Sequence, residues 1–116
     1  MELVKAVYRL TDHYPTSERY GLTEHTRRTA ISIPSNIAEG RGRSSRNDFC
    51  RFLKIAYASG CELETQIELA KQLALCDLEY FKEVDELLDH VMRMLNKMTN
   101  ALVPKQTAKA NKRISE

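Results

Sequence analysis

Residues 45–74 read SRNDFCRFLKIAYASGCELETQIELAKQLA, and one stripe runs through them at alternating spacings of four and three: Phe49, Leu53, Ala56, Gly60, Leu63, Ile67, Ala70 and Ala74. That heptad puts every member on one helix face, and so narrow a seam suits packing at shallow angles in a bundle. Ser45 with Asp48 three residues on resembles a capping box shortened by one methylene, which fixes the start of this helix. Gly60 costs about 1 kcal/mol against alanine in a helix interior. Close approach of a neighbouring backbone is expected to offset it, with Ala58 and Ser59 extending the small patch.

Outward from this segment the same period recurs. Asp77 is placed to cap a fourth helix striped by Phe81, Val84, Leu88, Val91, Leu95, Met98 and Leu102, ending before Pro104. Toward the N-terminus, Leu3, Val7, Leu10 and Tyr14 mark a short first helix stopped by Pro15. Thr23 is the candidate cap of a second helix, with Thr26, Ala30, Ile33 and Ile37 inward and a stop at Gly40 and Gly42. Pro34 lies inside it, removing one backbone donor and crowding the Ala30 carbonyl, so a kink is expected there. No alternating segment or hairpin turn suggests a strand. Short links favour antiparallel neighbours, so the expected fold is all-α: an antiparallel up-down-up-down four-helix bundle over residues 1–103. Residues 104–116 read as a basic disordered tail.

With 116 residues, 42% hydrophobic and 29% charged, the chain suits one small domain that needs no metal or disulfide staple. Its three cysteines are odd in number and form no Cys-x-x-Cys pair, which fits a reducing, cytoplasmic setting. No apolar run approaches the ~20 residues of a membrane span, and the opening residues lack the basic flank of a signal peptide. The formal charge of +2 hides a strong segmental pattern. Residues 1–26 carry −1, residues 27–54 carry +5, residues 55–103 carry −5, and the remainder carries +3. Such polarity suggests a nucleic-acid surface, or opposite faces that meet in an oligomer.

Chemistry-bearing motifs are few. His13, His25 and His90 have no metal-ligand spacing, Cys61 and Cys76 have no nearby histidine, and Glu64 and Glu68 read as a solvated helix face. No catalytic residue, metal or cofactor is therefore expected. The stretch Arg41-Gly42-Arg43-Ser44-Ser45-Arg46 is more informative, because it sets three guanidinium groups before the N-terminus of helix three. Free N–H groups there favour an anion, whereas the cations oppose the helix dipole by roughly 0.3–1 kcal/mol each. Arg51 and Lys54 extend the basic stretch; Arg27 and Arg28 either pair with Glu24 or join the same surface. Phe49, Phe52 and Phe81 read as core, not as platforms for stacked bases.

Several longer motifs carry a resemblance. Pro15-x-x-Glu18-x-Tyr20-Gly21-Leu22-Thr23 is followed by Arg27-Arg28, then by Ile33-Pro34-Ser35-Asn36-Ile37-Ala38-Glu39-Gly40-x-Gly42-Arg43, and finally by Phe52-Leu53 and Glu62-Leu63-Glu64-Thr65. Together they resemble the bacterial four-helix-bundle family encoded by intervening sequences in 23S rRNA genes. The motifs span helices one to three; helix four matches in apolar pattern. The resemblance implies an antiparallel bundle assembled as a ring-shaped homopentamer, with no enzyme activity. A related branch includes the accessory variability determinant of diversity-generating retroelements, a basic pentamer that binds nucleic acid and a reverse transcriptase. This chain is only mildly basic, so the intervening-sequence type is the nearer match and a reverse-transcriptase partner ranks below nucleic acid. The expected function is non-enzymatic: an oligomer that binds rRNA, other RNA or DNA through Arg27, Arg28, Arg41, Arg43, Arg46, Arg51 and Lys54. The alternative is a self-assembling protein-interaction scaffold.

Overall fold

A computed structural model describes residues 1–102 of the chain. The expected tail and the last residue of the expected domain lie outside the described residues. Four helices account for the architecture, and no strand occurs among the described residues. They are α1 (Glu2–Thr11), α2 (Glu24–Arg41), α3 (Arg46–Gln72) and α4 (Lys82–Leu102).

The heptad read from α3 is its buried face. Leu53, Ala56, Gly60, Leu63, Ile67 and Ala70 are all buried, packed with Leu3, Val7 and Leu10 of α1, Ala30, Ile33 and Ile37 of α2, and Val84, Leu88 and Leu95 of α4. Phe81, at the entrance to α4, is buried in the same core. The most extensive contact is between α2 and α3. At one end Gly40 lies against Phe49 and Phe52. Toward the other, Gln66 Nε2 donates to Thr29 Oγ1 across 3.0 Å in the buried interface. Arg46 of α3 reaches Ala101 of α4, while Lys71 pairs with Asp85 at 2.7 Å. Arg9, late in α1, pairs with Glu83 at the start of α4.

Helix ends differ from expectation in instructive ways. Helix α1 stops at Thr11, well before Pro15. His13 and Tyr14 instead donate their N–H groups to Leu10 and Thr11 in tight turns that still bury the Tyr14 ring. Thr23 does not cap α2. It is buried with helical dihedrals and makes no side-chain cap, because a wide turn over Arg19–Thr23 already feeds the chain into the helix. In that turn Glu18 accepts from the Leu22 N–H, and Gly21 takes the non-helical backbone angles. Gly40 is not a stop either; α2 runs through it and through Pro34 to Arg41. Asp77 precedes a short 3₁₀ turn, Leu78–Phe81, and makes no side-chain cap, so α4 proper starts at Lys82. Ser45 does cap α3: its Oγ accepts from the Asp48 N–H at 2.9 Å.

Gly60 is buried, but a side chain fills its notch and not a backbone. A β-carbon there would collide with the Met92 sulfur of α4. At the far end of α3 the expected seam residue Ala74 lies past the helix, with φ of 52°. Its N–H donates to Lys71 O, and the next, from Leu75, reaches back to Ala70 O. This is a Schellman ending, which favours glycine at the left-handed position. A β-carbon there costs roughly 1–2 kcal/mol. Ala74→Gly is therefore expected to raise stability by about 1 kcal/mol, partly offset by the greater freedom of unfolded glycine. A rise in the urea midpoint at unchanged slope checks it.

Tyr14 supplies a second test. Its hydroxyl is buried without a hydrogen-bond partner among the described residues. Burial, with a smaller contribution from Cys76, pushes its ionisation well above the ordinary phenol range. The folded state thus holds this proton more tightly than the unfolded chain does. The resulting stabilisation is complete below the unfolded value of about 10 and is lost as pH rises through and above it. Tyr14→Phe removes an unsatisfied polar atom, which by itself costs about 1–3 kcal/mol to bury. The variant is expected to be at least as stable as the parent at neutral pH and to lose less stability above about pH 10. Denaturation midpoints across that range check both.

Candidate nucleic-acid interface

Gly40 sets the geometry of the basic segment. A β-carbon there would lie 2.8 Å from Phe52 Cβ and 2.9 Å from Phe49 Cδ1, so the last turn of α2 rests on these two side chains without a spacer. The turn that follows is short. Gly42 N–H closes on Ala38 O and Arg43 N–H on Gly40 O, and Ser45 is extended and opens α3.

This close approach brings two of the seven expected residues, Arg43 and Arg51, together on one ring, and three more flank them in sequence. Phe52, half-buried, has the Arg43 guanidinium over its ring at 5.1 Å from the centroid and that of Arg51 at 4.6 Å. Sequence reasoning placed Phe52 in the core; it is instead the platform holding two cations close together. Arg46 donates to the Ala101 carbonyl at 3.5 Å. Lys54 stands one turn beyond Arg51, and Arg41 ends α2. Two carboxylates temper the cluster: Glu39 pairs with Arg43 at 2.7 Å and Asp48 lies 3.7 Å from Arg51. Arg41 and Lys54 make no ion pair among the described residues and are exposed.

The dipole penalty expected of this segment is smaller than its sequence suggested. Arg41 and Arg43 sit at the C-terminal end of α2, where the dipole favours cations, so the unfavourable position belongs to Arg46 alone. The case for a binding surface rests on the convergence of Arg43 and Arg51 on Phe52.

Arg27 and Arg28 lie elsewhere, at the start of α2, about 20 Å of helix from Arg41. Arg27 is largely committed to joining α1 and α2. It donates to Thr11 Oγ1 and to Asp12, each at 2.8 Å, and covers the Tyr8 ring at 4.5 Å. Arg28 pairs with Glu24, one of the two arrangements the sequence allowed.

No arrangement suited to catalysis emerges among the described residues. His13 stacks on Tyr80 with ring centroids 3.7 Å apart, His25 lies 3.3 Å from Glu62, and His90 is exposed on α4. No group of three or more metal-ligating side chains forms there. The three thiols are free, and burial pushes that of Cys76 up, opposite to the shift a nucleophile needs. No helix among the described residues is long and apolar enough to cross a membrane.

These features define an all-α protein of four helices with a basic surface at the α2–α3 junction. The family model of the 23S rRNA-intervening sequence protein matches residues 1–97, and the chain belongs to that family. The match takes in most of α4, beyond the helices whose motifs carried the resemblance. Comparison with curated proteins gave no match.

The Gly40 contact can be tested. Gly40→Ala gains about 1 kcal/mol of helix propensity. It must displace Phe49 or Phe52, and overpacking of this kind costs roughly 1–3 kcal/mol. The variant is expected to be less stable overall, seen as a lower denaturation midpoint, and to show altered NMR shifts at Arg43 and Arg51.

Proposed function

We propose that this chain is a non-enzymatic, cytoplasmic, self-assembling bundle that binds RNA or DNA through Arg41, Arg43, Arg46, Arg51 and Lys54. The observation that carries this reading is the pair of guanidinium groups, Arg43 and Arg51, held over the Phe52 ring beside the Gly40 contact, within a segment that also supplies Arg41, Arg46 and Lys54. Planar guanidinium groups match phosphate oxygens in pairs, and a free helix N-terminus beside them adds backbone donors. The 23S rRNA connection in the family's name supports a nucleic acid, including the rRNA segment near its own coding region, as the polyanion.

The finer architecture belongs to the same proposal: the helices run up-down-up-down and antiparallel, with a bend at Pro34. Contacts between the end of α2 and the start of α3, and between the end of α3 and the start of α4, support it. Assembly follows as a closed ring of five subunits. A ring-closing contact needs complementary patches, which the segmental charges offer. Tyr20, Leu73 and Leu78, each more than half exposed, add apolar surface for it.

Replacing Arg41, Arg43 and Arg46 with Gln is expected to weaken RNA binding and leave the oligomer intact by light scattering. The slope of log affinity against log salt should fall by about 0.7 for each single-strand phosphate contact removed. Loss of the oligomer would assign the segment to a subunit contact and favour the scaffold. A monomer at micromolar concentration would defeat the ring.

A further inference from the structure

Tyr20 is 83% exposed, more than any other large apolar side chain among the described residues. It stands between two open clefts, one of about 350 Å³ shared with Tyr8 and Ile31 and one of about 420 Å³ shared with Leu22 and His25. Arg28 lines both, and Arg19 lies 5.7 Å from the ring centroid. Both arginines are exposed, and Arg19 makes no ion pair among the described residues. A ring left in water between two arginines has the composition of an interface anchor, because tyrosine and arginine are enriched among the residues that dominate protein–protein binding.

A surface of opposite sign lies between α3 and α4. There a groove of about 280 Å³ is lined by apolar Ile67 and Leu88 and by four carboxylates, Glu64, Glu68, Asp85 and Asp89. Lys71 pairs with Asp85 at 2.7 Å and Arg93 with Asp89 at 3.1 Å, whereas Glu64 and Glu68 make no ion pair among the described residues. The same two carboxylates border a second cleft, of about 510 Å³, in which Leu69 is 43% exposed. Two unpaired carboxylates between hollows with apolar lining thus complement two arginines beside a projecting ring.

Both surfaces stand at one end of the molecule. Arg27 joins the start of α2 to the end of α1, Arg9 joins the end of α1 to the start of α4, and Lys71 joins the end of α3 to the start of α4. The surfaces have no lining residue in common. Resting on the self-assembly proposed above, we infer that the partner of the Tyr20 ridge is a second copy of this chain: Tyr20 seats in the α3–α4 groove of the neighbouring copy, with Arg19 and Arg28 facing Glu64 and Glu68. Every copy carries both surfaces, so a head-to-tail contact covers both, whereas a foreign partner on one would leave the other bare. Because the two surfaces lie at the same end, successive copies stay level, which favours closure into a ring over growth of a filament. The charges set the register of the contact, and the tyrosine ring supplies its apolar area.

The test is the mass of the full chain by light scattering at micromolar concentration, with helical circular dichroism to confirm the fold. Arg19→Glu with Arg28→Glu reverses the ridge, and Glu64→Lys with Glu68→Lys reverses the groove; all four side chains are exposed. Each pair of changes alone is expected to reduce the oligomer to a monomer, because like charges then face each other. All four in one chain restore opposite charges and are expected to return the mass of the parent. Tyr20→Ala, at a side chain outside the core, is expected to raise the concentration needed for assembly about tenfold or more, and it carries the test if a reversed chain does not fold. Unchanged assembly in either reversed chain or in Tyr20→Ala would overturn the inference and leave self-assembly standing. Loss in both reversed chains without recovery in the combined one would show that the two surfaces do not face each other, and would also overturn it. A parent chain that is itself a monomer would instead defeat the proposed self-assembly.

Discussion

A missing β-carbon governs the arrangement of this molecule. At Gly40 the last turn of α2 descends onto Phe49 and Phe52 with no side chain of its own in the way. That contact lets a turn of only a few residues join α2 to α3, the two helices in most extensive contact. The buried Gln66–Thr29 bond fixes the same pair of helices farther along, where a one-residue slip would strand both polar groups. The site depends on this constraint as much as the core does. Phe52 is held where Arg43 and Arg51 can lie over it only because residue 40 leaves room.

Period was the most legible property of the sequence. The stripes on α1, α3 and α4 predicted the buried residues closely, because a core-facing helix has one solution for its apolar face. Ends were less legible. Thr23 and Asp77 have the composition of caps, but a wide turn and a 3₁₀ turn take their places, since tertiary packing of Thr23 and Phe81 fixes the entry of each helix. Ala74 would have been read as helix by any pattern, and only the backbone shows it turning out of α3. Gly40 was misread as punctuation: a glycine that ends a helix and one that admits a neighbour look alike without coordinates.

The candidate site divides along the same line. Arg41, Arg43, Arg46, Arg51 and Lys54 were visible together because they are near in sequence and their helices meet at a tight turn. Arg27 was visible as a cation but not as a tether, because Thr11 and Asp12 reach it only through the packing of α1 on α2. Phe52 shows the reverse error: its spacing beside the seam suggested burial, and its place at the rim gives it polar work. Local sequence thus located the charges, and long-range contacts decided which of them remain available.

The notch at Gly60 has a chemical consequence of its own. Its occupant is a thioether: the Met92 sulfur lies where a β-carbon would be, and the residue is 8% exposed. Oxidation of methionine converts a pliant apolar atom into a polar, stereogenic sulfoxide. Here the added oxygen would project into the seam between α3 and α4, with no donor supplied by Gly60 opposite it. An oxidant that reaches Met92 therefore acts as a wedge between those two helices, and a reductase that restores the thioether resets their contact.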